Sequence, residues 1–260
     1  MQESNNTNPR NAVFTTLLWD GGSHLADFDA HLDRMKLHAH RLRITWPEKI
    51  TDKFNEAWNQ MVVVGDVDAP RTPRGLIRFE LNKGGEIILQ SRQFTIRNEG
   101  IEAITVPAPR WSPKINGTKH GDWTPYLEAM HQADSKGADL ALLVHDYALV
   151  DGDRATPMVV DEDGTAWLSG PEQGGVLGIT AEILAPLLER EGVPVHRGRL
   201  NERLVARALE VIALGSGIGA SRVESIDGEP VGGDHGFSER CQVLLTQHYE
   251  TKNAWSHVGA

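Results

Sequence analysis

One lysine and two later turns have the residue types that a cofactor-dependent reaction would use. Lys119 lies among small residues in segment 116–122, and a lysine amine can act as a nucleophile toward an aldehyde. Segments 176–180 and 215–219 are rich in turn residues, and their backbone N–H groups could hold a phosphate. Together the three segments indicate a Schiff-base site for a phosphorylated aldehyde cofactor. The alternative for Lys119 is a solvated surface charge.

Charge and cysteine content argue against other kinds of site. The chain has 260 residues, a formal charge of -10 and a pI near 5.5 without a concentrated basic patch, so a nucleic-acid partner is not expected. The densest basic run, 34–43, has the pattern of the exposed face of a helix, although an arginine within it could still do chemistry. Cys241 is the only cysteine, which excludes an intrachain disulfide and a cysteine-cluster metal site.

The N-terminal segment and the hydropathy of the chain predict a cytoplasmic protein. Residues 1–11 are polar and lack the apolar core of a signal peptide, and no apolar run approaches the roughly 20 residues that span a bilayer. The sequence has no His-Glu-x-x-His pair, and His38 and His40 would point to different faces of a helix. We therefore expect no membrane partner and no metal.

The spacing of apolar residues predicts an α+β fold. Strand 13–19 ends at turn formers 20–22, and an apolar stripe then recurs at steps of three and four along a helix that ends before Pro47. Thr180 is the predicted N-cap of a later helix that ends at Gly192. The other predicted helices are 51–64, 123–136 and 202–207. The other predicted strands are 75–81, 86–93, 101–106, 140–144, 148–150, 157–160, 166–168 and 210–214, with a last hairpin around 227–228.

A proline-rich segment is the predicted boundary between two domains. Three prolines within 107–113 block both a helix and a central strand. We expect a small N-terminal domain over 1–106, a linker over 107–114 and a larger, C-terminal cofactor-binding domain over 115–260.

The glycine loop 215–219 follows an apolar strand and has two open interpretations. It resembles part of a dinucleotide-binding fingerprint, but that fingerprint should begin a helix, whereas turn and strand residues follow here. The loop is either a plain turn at the end of a strand or an anion-binding turn built from backbone N–H groups.

Five short motifs occur in a definite order along the chain. They are the early strand and turn at 14–16 and 20–21, His-Leu-x-Arg at 31–34, Gly-x-Lys at 117–119, a strand entry at 137–143 and Gly-Ile-Thr at 178–180. In order and spacing they resemble the class IV, pyridoxal-phosphate-dependent aminotransferase family, which includes branched-chain aminotransferases, D-amino acid aminotransferases and aminodeoxychorismate lyases. The resemblance covers nearly the whole chain from Phe14 onward. It implies an α+β, two-domain class IV aminotransferase-like fold with mixed, mostly antiparallel sheets and flanking helices.

The resemblance also implies pyridoxal 5'-phosphate as cofactor and a set of site residues. Lys119 is the implied Schiff-base lysine and general acid/base, and Arg34 the implied phosphate contact. Asp151 has the position of a family glutamate that keeps the pyridine nitrogen protonated; the alternative is that Asp151 only shapes a turn with Gly152. The implied cofactor-binding residues are Arg34, Lys119, Asp151, Gly178, Ile179, Thr180, Ser216 and Gly217.

Some residues depart from the family pattern at positions that the resemblance places near the substrate. Leu76 and Thr124 replace tyrosines that shape the branched-chain pocket, which argues against a standard branched-chain specificity. Arg78 falls where a family arginine approaches the substrate, and it is either a carboxylate-binding residue or an ordinary strand arginine. Arg154 is a candidate for binding a second acidic group. The candidate substrate-binding residues are Arg78, Thr124 and Arg154.

Three functions stay open from the sequence. The first and favoured one is transfer of an amino group from an amino acid or amine to a 2-oxo acid through a Lys119 Schiff base. The second is 4-amino-4-deoxychorismate lyase activity, which releases pyruvate and 4-aminobenzoate; motif 14–16 and the pair 119–120 suggest it. The third is a non-catalytic binding protein on the same fold, suggested by Asp151. The resemblance implies a homodimer with a small amino acid or 2-oxo acid as substrate.

Overall fold

The computed structural model describes residues 8–61, 72–92 and 100–259, which form two compact units. Unit 1 contains the described residues within Met1–Phe94, Ser112–Thr124 and Tyr249–Ala260, and unit 2 those within Thr95–Trp111 and Pro125–His248. The domain bounds expected from the sequence stay a prediction. The units divide the chain differently, since residues 115–124 and the C-terminal residues belong to unit 1.

The described residues contain six α-helices and fifteen strands. The helices are α1 (Phe28–Leu42), α2 (Ile50–Gln60), α3 (Thr124–Ser135), α4 (Ile179–Arg190), α5 (Glu202–Ala206) and α6 (Phe237–Glu250). The strands are β1 (Ala12–Trp19), β2 (His24–Ala26), β3 (Gly75–Asn82), β4 (Ile87–Arg92), β5 (Ile101–Pro107), β6 (Leu140–His145), β7 (Ala148–Gly152), β8 (Thr156–Val160), β9 (Ala166–Ser169), β10 (Val195–Gly198), β11 (Leu200–Asn201), β12 (Glu210–Gly215), β13 (Gly219–Ile226), β14 (Glu229–Pro230) and β15 (Trp255–His257). None of these helices is both long and apolar enough to cross a membrane.

Unit 1 has a five-stranded antiparallel sheet in the order β15-β2-β1-β3-β4. The central strand β1 pairs with β3 along its whole length, from Ala12 opposite Asn82 to Trp19 opposite Gly75. Along β3, buried and half-buried residues alternate, as expected for a strand whose two faces meet different surroundings. This sheet provides a rigid base for the residues that β1 carries.

One face of α1 is buried in the core of unit 1. Its buried residues recur at steps of three and four, so they lie along one side of the helix. Two of them, His31 and His38, are polar. The largest fully buried side chains of the core are Leu17, Leu25, Met35, Leu42, Phe54, Ile77, Phe79 and Leu81. Each such side chain stabilises the fold by roughly 1.5–3 kcal/mol, so the position of α1 against β1 is strongly determined.

Unit 2 has a ten-stranded mixed sheet. Its main path runs β10-β9-β8-β12-β13-β5-β6-β7-β11, and β14 pairs with β13 outside that path. β5 pairs in parallel with β6 and β13, and β9 pairs in parallel with β10. The other described pairings are antiparallel. The prediction of mixed, mostly antiparallel sheets is confirmed.

The central strands of unit 2 are buried along nearly their whole length. This holds for β6, β7, β8 and β12, as expected where both faces of a sheet are covered. Helix α4 packs against β12 and β10. These contacts fix α4 against the sheet.

Three sequence predictions about helices need correction. The prediction that Thr180 is an N-cap is wrong: Gly178 has an extended backbone and is the N-cap, and Thr180 is buried in the first turn of α4. Helix α2 ends at Gln60, earlier than predicted, and residues 62–64 lie outside the described part of the chain. Helix α6 was not predicted. Its buried residues include Ser238 and Cys241, which weaken the apolar pattern.

Candidate functional site

The backbone around Lys119 is fixed to the rest of unit 1 on both sides. The Lys119 carbonyl accepts a hydrogen bond from the N–H of Phe14 at 3.2 Å, and the Lys119 N–H donates to Nδ1 of His38 at 3.2 Å. Just before it, Thr118 donates from its N–H and from its hydroxyl to the carbonyl of Ile115, at 3.1 and 2.6 Å. The side chain of Lys119 therefore leaves the backbone in a defined direction.

The Lys119 amine lies at an aromatic surface. Its Nζ is 5.1 Å from the ring centroid of Phe14 and 4.8 Å from that of Trp123. The two rings meet edge to face, with centroids 4.9 Å apart. Both amine distances are within the about 6 Å range of a cation–π contact. Lys119 is thus a positioned, half-buried amine and not a wholly solvated surface lysine.

Arg78 of β3 contacts the same phenylalanine. Its guanidinium carbon lies 3.6 Å from the ring centroid of Phe14, and its Nη2 pairs with Oε2 of Glu80 at 2.7 Å. Both charged side chains are largely covered. A substrate carboxylate that bound Arg78 would share the guanidinium with Glu80, and the substrate role of Arg78 stays a prediction.

Arg34 is oriented by a short chain of hydrogen bonds. Its Nη2 donates to Oγ1 of Thr15 at 2.8 Å, and that oxygen lies 2.6 Å from Nδ1 of His31. After accepting from the guanidinium, the threonine oxygen still has a lone pair and its own proton, so the direction of its hydrogen bond with His31 is set by which nitrogen of the imidazole carries the proton. Burial lowers the pKa of His31 well below its usual value, and the positive charges of Arg34 and Lys119 lower it further. His31 is therefore neutral.

Two more buried histidines adjoin Lys119. Burial lowers the pKa of His38 well below its usual value, and nearby positive charges, first that of Arg34, act in the same direction. Burial lowers the pKa of His120 to about 4, although Asp122 opposes the shift. Among the described residues, no group of three His, Cys, Asp or Glu side chains could hold a metal ion. The polar surroundings of Lys119 thus combine cations with neutral imidazoles.

Asp151 of β7 is buried and held by three donors. Its Oδ2 accepts from the hydroxyl of Tyr126 at 3.2 Å and from the N–H of Val176 at 2.9 Å, and its Oδ1 accepts from the N–H of Gly152 at 3.0 Å. Its residue surface is 4% exposed. These contacts show that Asp151 does more than shape a turn with Gly152, because they connect it to α3 and to the segment before α4.

The start of α4 lies against the start of β8. A Cβ atom at Gly178 would be 2.3 Å from Oγ1 of Thr156, so only glycine fits there. No side chain caps the helix at Gly178, and Ile179 and Thr180 follow in the first turn, both buried. Backbone N–H groups at the positive end of a helix form a favourable site for an anion.

The turn between β12 and β13 lies beside the same part of the sheet. A Cβ atom at Gly215 would be 2.9 Å from the carbonyl oxygen of Arg154. Ser216 and Gly217 are in the middle of this turn and are half-buried. After the turn, the N–H of Ala220 donates to Oε1 of Gln242 on α6 at 3.0 Å. The structure is compatible with both interpretations of this loop, a plain turn and an anion-binding turn.

Arg154 and Thr124, the other predicted substrate-binding residues, are exposed. Arg154 donates to the carbonyl of Asp139, and its Nε lies 3.8 Å from Oδ1 of Asp153. The Asp153 side chain is 1% exposed, and neither of its carboxylate oxygens has a hydrogen-bond partner among the described residues. Burial raises the pKa of Asp153 to about 6, with Arg154 opposing the shift. The substrate roles of Arg154 and Thr124 stay predictions.

The predicted site residues form two groups, one in each unit. In unit 1, Arg34, Arg78 and Lys119 contact residues 14–15 of β1. In unit 2, Asp151, the start of α4 and the β12–β13 turn lie along residues 151–156.

Sequence analysis missed the residues that orient these groups. His38 holds the backbone of Lys119, Tyr126 contacts Asp151, and Thr156 lies against Gly178. One signal could have found His38 and Tyr126: each is a polar residue within the apolar stripe of a predicted helix, where burial demands a hydrogen-bond partner. No comparable signal marks Thr156.

The chain matches the model of the family Amino-transferase class IV over residues 12–226. That stretch includes every predicted site residue. Comparison with curated proteins gave no match.

Several solved structures are similar to this chain. One, provisionally named a 4-amino-4-deoxychorismate lyase, is 28% identical, covers 82% of this chain and 84% of its own, and has a TM-score of 0.68. A protein from Legionella pneumophila subsp. pneumophila str. Philadelphia 1 with the same provisional name is 18% identical over 95% of this chain and 96% of its own, with a TM-score of 0.77. The branched-chain aminotransferase of the thermophilic archaeon Thermoproteus uzoniensis, solved with norvaline, is 16% identical over 98% of this chain and 95% of its own, with a TM-score of 0.80. These likenesses confirm the predicted fold.

Proposed function

This chain belongs to the class IV aminotransferase family and is an enzyme, and we propose that it transfers an amino group from an amino acid or amine to a 2-oxo acid. The family depends on pyridoxal 5'-phosphate, and in this proposal Lys119 attaches that cofactor and moves the α-proton of the substrate. The observation that carries the proposal is the placement of the Lys119 amine, 5.1 and 4.8 Å from two aromatic rings and on a backbone held from both sides.

Two features of the chain's own residues fit this cofactor. When bound, pyridoxal phosphate supplies an aldehyde that condenses with amines and a ring that withdraws electrons from the α-carbon. The positioned amine of Lys119 suits the aldehyde. The start of α4 suits the phosphate, because no side chain caps the helix at Gly178 and backbone N–H groups at the positive end of a helix favour an anion.

In the proposal, these residues have separate tasks toward the cofactor. Backbone N–H groups of Ile179 and Thr180 and of the Ser216-Gly217 turn would bind the phosphate, and Arg34, whose guanidinium donates to Thr15, would supply a positive charge. Asp151 is assigned to the pyridine nitrogen, where a carboxylate keeps that nitrogen protonated. Its three donors hold it in one orientation.

Proton transfer is assigned to Lys119 and not to a histidine. Nδ1 of His31 is hydrogen-bonded to the hydroxyl of Thr15, and Nδ1 of His38 accepts from the backbone N–H of Lys119, so one nitrogen of each ring holds a neighbour. A free lysine amine can accept the α-proton and return it at another carbon.

The proposal is tested by measuring amino transfer directly. Protein saturated with pyridoxal phosphate is incubated with pairs of amino donors and 2-oxo acids, and the new amino acid is quantified by chromatography. Turnover should require both partners and fall by about 10³-fold or more in Lys119→Ala. Lys114→Ala, which changes an exposed lysine in the same loop, should behave like the wild type. Full turnover in Lys119→Ala would refute the assignment.

A second candidate is 4-amino-4-deoxychorismate lyase activity. Its support is the 28% identity to a structure that carries that provisional name, together with residues 14–16 and 119–120. The test is incubation with 4-amino-4-deoxychorismate in the absence of any 2-oxo acid. Release of pyruvate and 4-aminobenzoate would favour the lyase, and amino transfer without that release would favour the transaminase.

A further inference from the structure

The Asp151 carboxylate has an unusual set of supports for a short side chain. One of its oxygens, Oδ2, accepts from both the hydroxyl of Tyr126 and the N–H of Val176, at 3.2 and 2.9 Å. The other, Oδ1, accepts from the N–H of Gly152. Two of the three donors are backbone groups, so Tyr126 is the only side chain among these named donors.

The Tyr126 hydroxyl is a donor in this contact. Tyr126 is 5% exposed, and its burial, followed by the negative charge of Asp151, raises the pKa of the hydroxyl well above its usual value. It therefore keeps its proton at neutral pH, and that proton can point only toward an acceptor such as Oδ2. A hydrogen bond to a charged carboxylate is stronger than one between neutral groups.

The Tyr126 hydroxyl and the Val176 N–H, which both donate to Oδ2 of Asp151, are each fixed by packing. The ring of Tyr126 stacks nearly parallel on Trp111, with centroids 6.4 Å apart and planes inclined by 5°. On the other side, a Cβ atom at Gly175 would lie 1.8 Å from the carbonyl oxygen of Val150, so the backbone that carries the Val176 N–H runs against β7. Oδ2 thus sits between a rigid ring and a rigid backbone segment.

From this arrangement we propose that Tyr126 is a positioning residue that acts through Asp151. The inference rests on the proposed function, in which Asp151 serves the pyridine nitrogen. An aspartate is one methylene shorter than the glutamate that the family has at this position, so its carboxylate tolerates less displacement from the nitrogen. Tyr126 fixes the rotation of the Asp151 carboxylate. The shorter aspartate side chain can then contact the pyridine nitrogen as the family glutamate does.

The test is a double-mutant cycle on cofactor affinity. Pyridoxal phosphate is removed from the wild type, Tyr126→Phe, Asp151→Ala and the double variant, and is titrated back while the absorbance of the bound cofactor is followed. Tyr126→Phe should weaken binding about 5- to 10-fold, less than the direct loss of a hydrogen bond to a charged group because Tyr126 acts on the cofactor only through Asp151, and should lower kcat without raising KM for the amino donor. In the Asp151→Ala background the same change should have less than about a 2-fold effect.

Matched controls separate positioning from general destabilisation. Phenylalanine keeps the ring on Trp111, and thermal melting shows whether each variant is folded. Tyr147→Phe makes the same chemical change at a side chain that is 72% exposed and should leave affinity unchanged. Equal effects of Tyr126→Phe in both backgrounds, or no effect in the wild type, would overturn the inference.

Failure of the inference can be told apart from failure of the proposed function. If Asp151→Ala binds the cofactor as tightly as the wild type, the role of Asp151 is wrong and the inference falls with it. If Asp151→Ala binds weakly but Tyr126→Phe does not, only the role of Tyr126 is wrong.

Discussion

The two units bury different kinds of ionisable side chain. In unit 1 the buried histidines around Lys119 and Arg34 are His31, His38 and His120. In unit 2 the buried carboxylates are Asp151, Asp153 and Glu210. Burial lowers the pKa of all three histidines and keeps them neutral, and nearby positive charges act in the same direction on His31 and His38. Two of the carboxylates are instead held by N–H or O–H donors.

This difference shows two ways of keeping polar groups inside a protein. A buried imidazole next to Arg34 and Lys119 avoids a charge altogether and keeps Nδ1 hydrogen-bonded, to the hydroxyl of Thr15 for His31 and to the N–H of Lys119 for His38. A buried carboxylate is stabilised where donors surround it, as backbone N–H groups do for Glu210. The Asp153 carboxylate has no hydrogen-bond partner among the described residues, only the ion pair with Arg154 at 3.8 Å, and burial raises its pKa to about 6. The units should therefore respond to pH in opposite directions.

Removing the best-held carboxylate should have the largest effect on stability. Glu210 accepts from the N–H groups of His235, Phe237 and Ser238 at 2.8, 2.9 and 2.8 Å, which ties β12 to the start of α6. Glu210→Ala should lower the free energy of unfolding by about 3 to 5 kcal/mol, because buried donors lose a charged acceptor. Urea denaturation measures this. Glu224→Ala, which breaks an exposed pair with Arg222, should cost under about 1 kcal/mol, and a similar cost at Glu210 would contradict the account.

The low pKa of buried His120 predicts that the protein loses stability as the pH falls. The folded pKa of His120 is about 4, below the ordinary 6.5, so between these values the unfolded chain binds a proton that the folded chain does not. Stability from this residue is present above about pH 6.5 and falls by up to roughly 3 kcal/mol as the pH drops to about 4. His120→Gln should flatten that fall in unfolding experiments across this range. His145→Gln, an exposed control, should keep the wild-type slope; an unchanged slope in His120→Gln would argue against a neutral His120.

The buried carboxylate of Asp153 predicts the opposite change of stability with pH. The folded pKa of Asp153 is about 6, above the ordinary 3.8, so between these values the folded chain holds a proton that the unfolded chain has released. Stability from this residue falls as the pH rises from about 4 to about 6, by roughly 2 to 3 kcal/mol. Asp153→Asn should remove this fall. The free energy of unfolding of the variant minus that of the wild type should therefore increase as the pH rises. Asp163→Asn, at an exposed position, should show no such trend, and a trend shared by both variants would count against buried Asp153.

The smallest expected effect concerns the hydroxyl that joins Arg34 to His31. Thr15→Val removes the acceptor of the guanidinium and should weaken pyridoxal phosphate binding about 5-fold, in line with one lost hydrogen bond. Thr15→Ser keeps the hydroxyl and should bind within about 2-fold of wild type. Absorbance titration of the cofactor measures both. Equal affinities of the valine and serine variants would show that Thr15 does not orient Arg34.

Local patterns in the sequence were enough to predict much of the fold. The β1 strand and its turn, the apolar stripe of α1 and the hairpin of β3 and β4 follow from periodicity and turn residues within a few positions of each other. Helix α6 was missed because its buried face includes Ser238 and Cys241, and because its start is held by Glu210, a residue 28 positions away from Ser238. Contacts of that kind leave no local pattern.

For the candidate site, the sequence predicted which residue types could take part but not which of them lie in contact. The sequence indicated Lys119 and the start of α4, because an amine and glycine-containing turns can be recognised from residue types. It could not predict that Phe14 lies near both the Lys119 amine and the Arg78 guanidinium, since β1, β3 and the lysine loop meet only in the folded chain. The contact of Tyr126 with Asp151, 25 positions apart, is hidden for the same reason.

The attachment point of the cofactor is the most direct test of the central claim. The purified protein is mixed with pyridoxal 5'-phosphate, reduced with borohydride and digested, and its peptides are analysed by mass spectrometry. We predict one reduced pyridoxyl-phosphate adduct, on the peptide that contains Lys119, and none at that peptide in Lys119→Ala. An adduct on a different lysine, or no adduct on the folded wild-type protein, would contradict the assignment of Lys119.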